Sequence, residues 1–116
     1  MELRLLDIDR DNNVMVVAID GGLDNRTADD FFAQIDGLVE GGINRIVVDC
    51  GGLTYLSSAG LAALLRVHSR MRRHGGDVRL AGVRSIVVQV LQLTKLDRMF
   101  ELYPDVDQAR LSLRRA

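Results

Sequence analysis

A chain of 116 residues with 47% apolar and 27% charged residues is large enough for one cored domain and too apolar to be disordered. A net charge of −1, no Trp and only 4% aromatic residues give neither an electrostatic nor a stacking case for nucleic acid or a membrane surface. One cysteine, Cys50, excludes an internal disulfide, and with two separated histidines it leaves no Cys/His metal site.

Residues 3–9 read as a first strand. Asp11-Asn12-Asn13 is turn chemistry, and Val14 to Ile19 is a second strand, pairing with the first as a hairpin. Asp20 to Asn25 reads as a loop. Thr27 with Asp30 three residues later is close to a capping box. After it, Ala28, Phe31, Phe32, Ile35, Leu38 and Val39 carry a helical period that Gly41-Gly42 stops. Ile46-Val47-Val48 is short, β-branched and apolar, which suits a strand buried on both faces, and Asp49 with Gly51-Gly52 is expected to end it. A loop to Leu56 and a helix from Ser58 to about His74 follow. Gly75-Gly76 closes that helix, and Asp77 to Gly82 reads as a strand. Arg84 to Leu93 is helical in period, and Leu96, Met99, Phe100 and Leu102 suggest a short strand or extended segment. Pro104-Asp105 opens a last helix carrying Val106, Ala109, Arg110 and Leu113. The order implies one α/β domain over residues 1–116, a mixed sheet of four to five strands with about four helices packed on it.

The chemistry concentrates between Asp49 and Leu61. Ser57 is the expected N-cap, since its side chain can accept from an otherwise orphan helix N–H. Ser58 then sits in the first turn, off the apolar arc of Leu61, Leu64, Leu65, His68 and Met71. Ala59, Ala62, Arg66, Ser69, Arg70 and Arg73 share the outer face, small at its start and basic further along. A phosphoryl group on Ser58 would add a charge of about −1.5 to −2. The helix dipole would favour it by roughly 0.3–1 kcal/mol. Arg66, Arg70 and Arg73 read either as a solvated face or as an electropositive rim for an acidic partner.

No catalytic site is expected. Tyr55 to Gly60 is not the Gly-x-Ser-x-Gly elbow, and His68 lies ten residues along the same helix, roughly 15 Å from Ser58 at 1.5 Å per residue. The only lysine is Lys95, so no Gly-rich phosphate loop with a Lys is present, and no cofactor is expected. His68 and Cys50 read as packing residues.

The junction resembles that of the STAS domains, and among them the single-domain bacterial anti-sigma factor antagonists. Leu53-Thr54-Tyr55-Leu56 fit the family's apolar-Thr-aromatic-apolar step, and Gly60-Leu61 fit its Gly-Leu. The family's phosphorylated serine falls on Ser58, with Ser57 the alternative. The commonest family form has Asp at the position of Ser57 and Ser or Thr at that of Ala59. Gly22-Leu23-Asp24 looks like the family's Gly-x-Leu/Ile-Asp step, and Leu93 to Phe100 is similar to its late segment of spaced Leu and Phe.

The resemblance implies the STAS fold and a function. Unphosphorylated, the chain would bind an anti-sigma factor serine kinase of the GHKL ATPase fold and free a sigma factor. Phosphorylation at Ser58 would part the two, and a PP2C-type phosphatase would reverse it. The expected partner-binding residues are Asp24, Ser57, Ser58, Ala59, Gly60, Ala62 and Arg66. For Asp24 two readings stand, a cap of the helix near Thr27 or a contact to partner or nucleotide. The other function open to the fold is a non-switching accessory subunit of an ABC lipid-transport system or of a larger signalling assembly. With no signal peptide at the start and no run of about 18 apolar residues, membrane insertion is not expected and the expected location is the cytoplasm; the charge and aromatic content likewise lead to no expected nucleic-acid partner.

Overall fold

The computed structural model describes residues 1–39 and 41–114. In chain order the elements are β1 (Glu2–Asp9), β2 (Val14–Leu23), α1 (Ala28–Val39), β3 (Arg45–Leu56), α2 (Ser58–Arg73), β4 (Asp77–Ala81), α3 (Ser85–Leu93), a 3-10 turn (Leu96–Arg98), β5 (Glu101–Tyr103) and α4 (Val106–Ser112). The strands form one mixed sheet in the order β1-β2-β3-β4-β5. The β1–β2 pair is antiparallel and the other neighbours are parallel. This is the architecture expected from the order of periods.

Strand alternation divides the core in two. Met15, Val17, Ile19, Ile46, Val48, Val78 and Leu80 face α1, α2 and α3, where they meet Phe31, Ile35, Leu64, Val67, Val87 and Leu91. Val14, Val16, Val47 and Ala81 face the other way and are covered by Ala109 and Leu113 at the end of the chain. The strand interior is therefore buried on both sides, as a β-branched run without alternation requires.

Three expectations need correction. Both β2 and β3 run past the glycines that were expected to end them, β2 to Leu23 and β3 to Leu56. These glycines permit close approach rather than breaking the strands: a Cβ on Gly52 would fall 2.1 Å from Asp20 Oδ1. The pairing register shifts between Ala18 and Asp20 and again between Gly21 and Gly22, which absorbs the irregularity without ending the ladder. Second, the inner face of α2 is Gly60, Leu61, Ala63, Leu64, Val67 and Met71, while Leu65 and His68 are only half-buried. Third, Leu96 to Leu102 is a 3-10 turn leading into β5, entered through Lys95 in the left-handed region at φ 60°.

Candidate functional site

The ends of β2 and β3 and the start of α2 meet at one place. Leu23 and Leu56 are paired across the last rung of β2 and β3, and one residue, Ser57, separates β3 from α2. Ser57 is extended (φ −86°, ψ 173°), its N–H donates to the Leu23 carbonyl at 3.0 Å, and its Oγ accepts from the Gly60 N–H at 3.2 Å. It is the N-cap expected from sequence. Gly60 is buried because the first turn of α2 rests on the β2 backbone, where a Cβ would fall 2.2 Å from the Leu23 carbonyl oxygen. Ser58 and Ala62 are exposed on the outer side and Ala59 is half-buried between them and the core.

Asp24 opens the turn between β2 and α1. Its Oδ1 accepts from the Arg26 N–H at 2.9 Å and from Thr27 Oγ1 at 3.3 Å, and its Oδ2 accepts from the Tyr55 hydroxyl. The Tyr55 hydrogen bond, with that of the Arg26 N–H behind it, holds the Asp24 carboxyl below its ordinary range; the same bond pushes the Tyr55 phenol up. The expected capping box of Thr27 and Asp30 does not form. Thr27 Oγ1 accepts from the Asp24 N–H at 3.0 Å and lies 3.1 Å from the Gly22 carbonyl, while Asp30 Oδ2 accepts from Gln34 at 2.8 Å. The helix is entered instead through the Asp24 carbonyl, which accepts from the Ala28 N–H at 2.8 Å. The Asp24 side chain thus orders the turn before α1 without accepting from an N–H of α1 itself, and it makes a contact to Tyr55 that sequence separation hid.

The structure brings Asp24, Ser57, Ser58, Ala59, Gly60 and Ala62 to one end of the molecule. Arg66 lies eight residues along α2 from Ser58, about 12 Å at 1.5 Å per residue. It sits 4.0 Å over the Phe32 ring and 3.4 Å from Asp29, while Arg70 faces Asp36 as an ion pair without hydrogen-bond alignment. Two of the three outer arginines therefore fasten α2 to α1, and Arg73 is exposed.

His68 packs edge-on against Phe100, with ring centroids 5.3 Å apart, and its Nε2 is 3.7 Å from Asp77. Cys50 is buried, and burial first, then the charge of Asp49, pushes its thiol up to about 12. Both are packing residues. No helix among the described residues is long and apolar enough to cross a membrane.

The geometry is that of an exposed hydroxyl on a rigid strand-to-helix corner, and the comparison with known families decides its kin. A family model described as the STAS domain matches residues 6–109. The chain belongs to the STAS domain family. BtrV of Bordetella bronchiseptica, named as a candidate anti-sigma factor antagonist, is 28% identical over 89 residues, 77% of each chain. A candidate anti-sigma factor antagonist of Thermotoga maritima, known as a crystal structure, superposes on this STAS domain with a TM-score of 0.85 at 24% identity, covering 94% of this chain and 92% of its own. The Bacillus cell fate determinant SpoIIAA in its phosphorylated form superposes with a TM-score of 0.74 at 18% identity, covering 97% of this chain and 100% of its own. The two solved structures share the fold with this STAS domain, whose five strands and four α-helices among the described residues fit it.

Proposed function

We propose that this STAS domain is an anti-sigma factor antagonist whose docking is switched by phosphorylation of Ser58. The observation that carries the reading is a division of labour between adjacent serines. Ser57 caps α2 through its Oγ, which leaves the exposed Ser58 hydroxyl in the first turn free of that duty. A phosphoryl group on Ser58 therefore costs the cap nothing, and the helix dipole favours it.

The exposed surface beside it is small-sided, formed by Ala59 and Ala62, while Gly60, expected among the partner-binding residues, is buried beneath them against β2. Such a surface lets a partner backbone approach closely while it is uncharged. A dianion in its middle, about −1.5 to −2 at neutral pH, must be desolvated or repelled by a partner shaped for the bare serine. The partner in this reading is an anti-sigma factor with a GHKL-type ATP-binding kinase fold, which binds the unphosphorylated form and phosphorylates it. A PP2C-type phosphatase restores the docking form, in the cytoplasm. The relatives support the reading by name: BtrV as a candidate antagonist and SpoIIAA as an antagonist known in phosphorylated and unphosphorylated forms.

Incubation with a candidate kinase and ATP, followed by intact mass and peptide mapping, is expected to place one phosphoryl group on Ser58. Ser58→Asp is expected to weaken anti-sigma factor binding by about 1–3 kcal/mol, and Ser58→Ala to bind constitutively. Ser58→Asp binding as tightly as the wild type would overturn the switch. Recovery of a transporter ATPase and no kinase in a pull-down would favour the accessory-subunit function instead.

A further inference from the structure

We propose that Tyr55 is a docking contact of this STAS domain and that Asp24 serves docking only through it, as the residue that holds the Tyr55 ring in place. The inference rests on the antagonist function proposed above and names the contact that the docking face uses beside Ser58.

The ring is held along one edge and at its hydroxyl. Parallel pairing sets Gly22 opposite Tyr55, one rung before Leu23 and Leu56. The ring occupies the space that a side chain on Gly22 would need, since a Cβ there would fall 1.9 Å from Tyr55 Cε1 and 2.2 Å from Cζ. At the far end the Tyr55 hydroxyl donates to Asp24 Oδ2. Asp24 Oδ1 is taken by the Arg26 N–H and Thr27 Oγ1. Both carboxylate oxygens are thus engaged within the chain, whereas Tyr55 keeps 48% of its surface exposed.

An exposed aromatic ring that is already immobilised has contact area to offer and little rotamer freedom left to lose, which is what an interface anchor needs. The ring is tied to the switch through the backbone, because the Leu23 carbonyl beside it accepts from the Ser57 N–H at 3.0 Å. The complementary feature on the anti-sigma factor is a shallow apolar pocket that takes the edge of a phenol.

A double-mutant cycle tests this, with affinity for a kinase that phosphorylates the wild-type chain read by titration calorimetry. Tyr55→Phe and Asp24→Ala are each expected to weaken binding about 3- to 10-fold, the scale of one hydrogen bond, and the double variant no further than either. Tyr55→Ala, and Gly22→Ala, whose new methyl group displaces the ring, are expected to lose about 30-fold. An independent reading uses the fact that the chain has two tyrosines, Tyr55 and Tyr103. In a Tyr103→Phe background the phenol is expected to titrate above the ordinary tyrosine range, and Asp24→Ala to move it down toward that range. Multiplying losses in the cycle would mean that Asp24 touches the partner directly. That result, or wild-type affinity in Tyr55→Ala, would overturn the inference and leave the antagonist function standing. If no GHKL-type kinase binds or phosphorylates the wild-type chain, the antagonist function fails and this inference with it.

Discussion

The first half of α2, Ser58 to Leu65, contains no charged residue, whereas the second half, Arg66 to Arg73, contains four arginines and a histidine. The first half is held by backbone and by absent atoms: the Ser57 N–H on the Leu23 carbonyl, the Ser57 cap, and Gly60 resting on β2. Both halves are anchored in the core, by Leu61 and Leu64 in the first and by Val67 and Met71 in the second, and the second adds charge. Arg66 and Arg70 reach Asp29 and Asp36 on α1, and Arg72 lies 3.3 Å from Asp77, which also pairs with Arg79 at 2.7 Å. One helix thus uses two kinds of fastening. The lesson is that the charge of α2 itself is concentrated away from the turn that carries Ser58, so a phosphate arriving there would be the first charge on that half of the helix.

Four changes break or sharpen that contrast. The largest effect is expected from Gly60→Val, which drives a branched side chain into the β2 backbone. It should cost about 3 kcal/mol or more in urea denaturation, because backbone cannot step aside as a side-chain tip can.

Asp77→Asn removes the centre of the ionic end. Burial pushes the Asp77 carboxyl up, but hydrogen bonds from Arg79 and the Val78 N–H and the charges of Arg79 and Arg72 outweigh it, so the carboxyl titrates below its ordinary range. A lowered value in the folded chain means that the stabilisation is complete above the ordinary Asp value of about 3.9 and is lost as pH falls through the folded value. Asp77→Asn should therefore lower stability at neutral pH by about 1–2 kcal/mol and flatten the acid limb of a stability–pH curve. Asp9 and Asp24, also lowered, keep part of that limb.

Arg70→Ala opens a half-exposed ion pair and should cost only about 0.5 kcal/mol in the same assay. Smallest is the effect of Ser58→Asp on the fold itself. A carboxylate in the first turn should raise stability by roughly 0.3–1 kcal/mol, opposite in sign to its effect on docking. A Ser58→Asp variant that melts below the wild type would show that the neutral half is not built to accept charge.

The sequence carried the element order, since each helix and strand has its own period and the caps at Ser57 and Asp105 are local chemistry. What it hid depends on contacts between distant segments. Gly21-Gly22 and Gly51-Gly52 look like strand ends in isolation. Their meaning appears only when Gly22 meets Tyr55 and Gly52 meets Asp20 across the β2–β3 pair. The inner face of α2 came out turned toward Ala63 and Val67 because α2 packs on both the sheet and α1, and a wheel drawn from the largest apolar residues misses the small ones that permit contact. At the candidate site the Ser57 cap was legible from local chemistry, whereas the burial of Gly60 against β2 was not. Nor was the tie between Asp24 and Tyr55, because 31 residues separate them and each has a sufficient local explanation.

Only Ser57 stands between the last rung of β3 and the first turn of α2. A joint so short has no slack, so a group placed on Ser58 has little hinge through which to rearrange the backbone around it. Its presence would be felt by touch alone. In the proposed switch a listener would have to press directly against the mark to read it, and the reply would come as fast as the two surfaces can meet or part, with no slow refolding step in between.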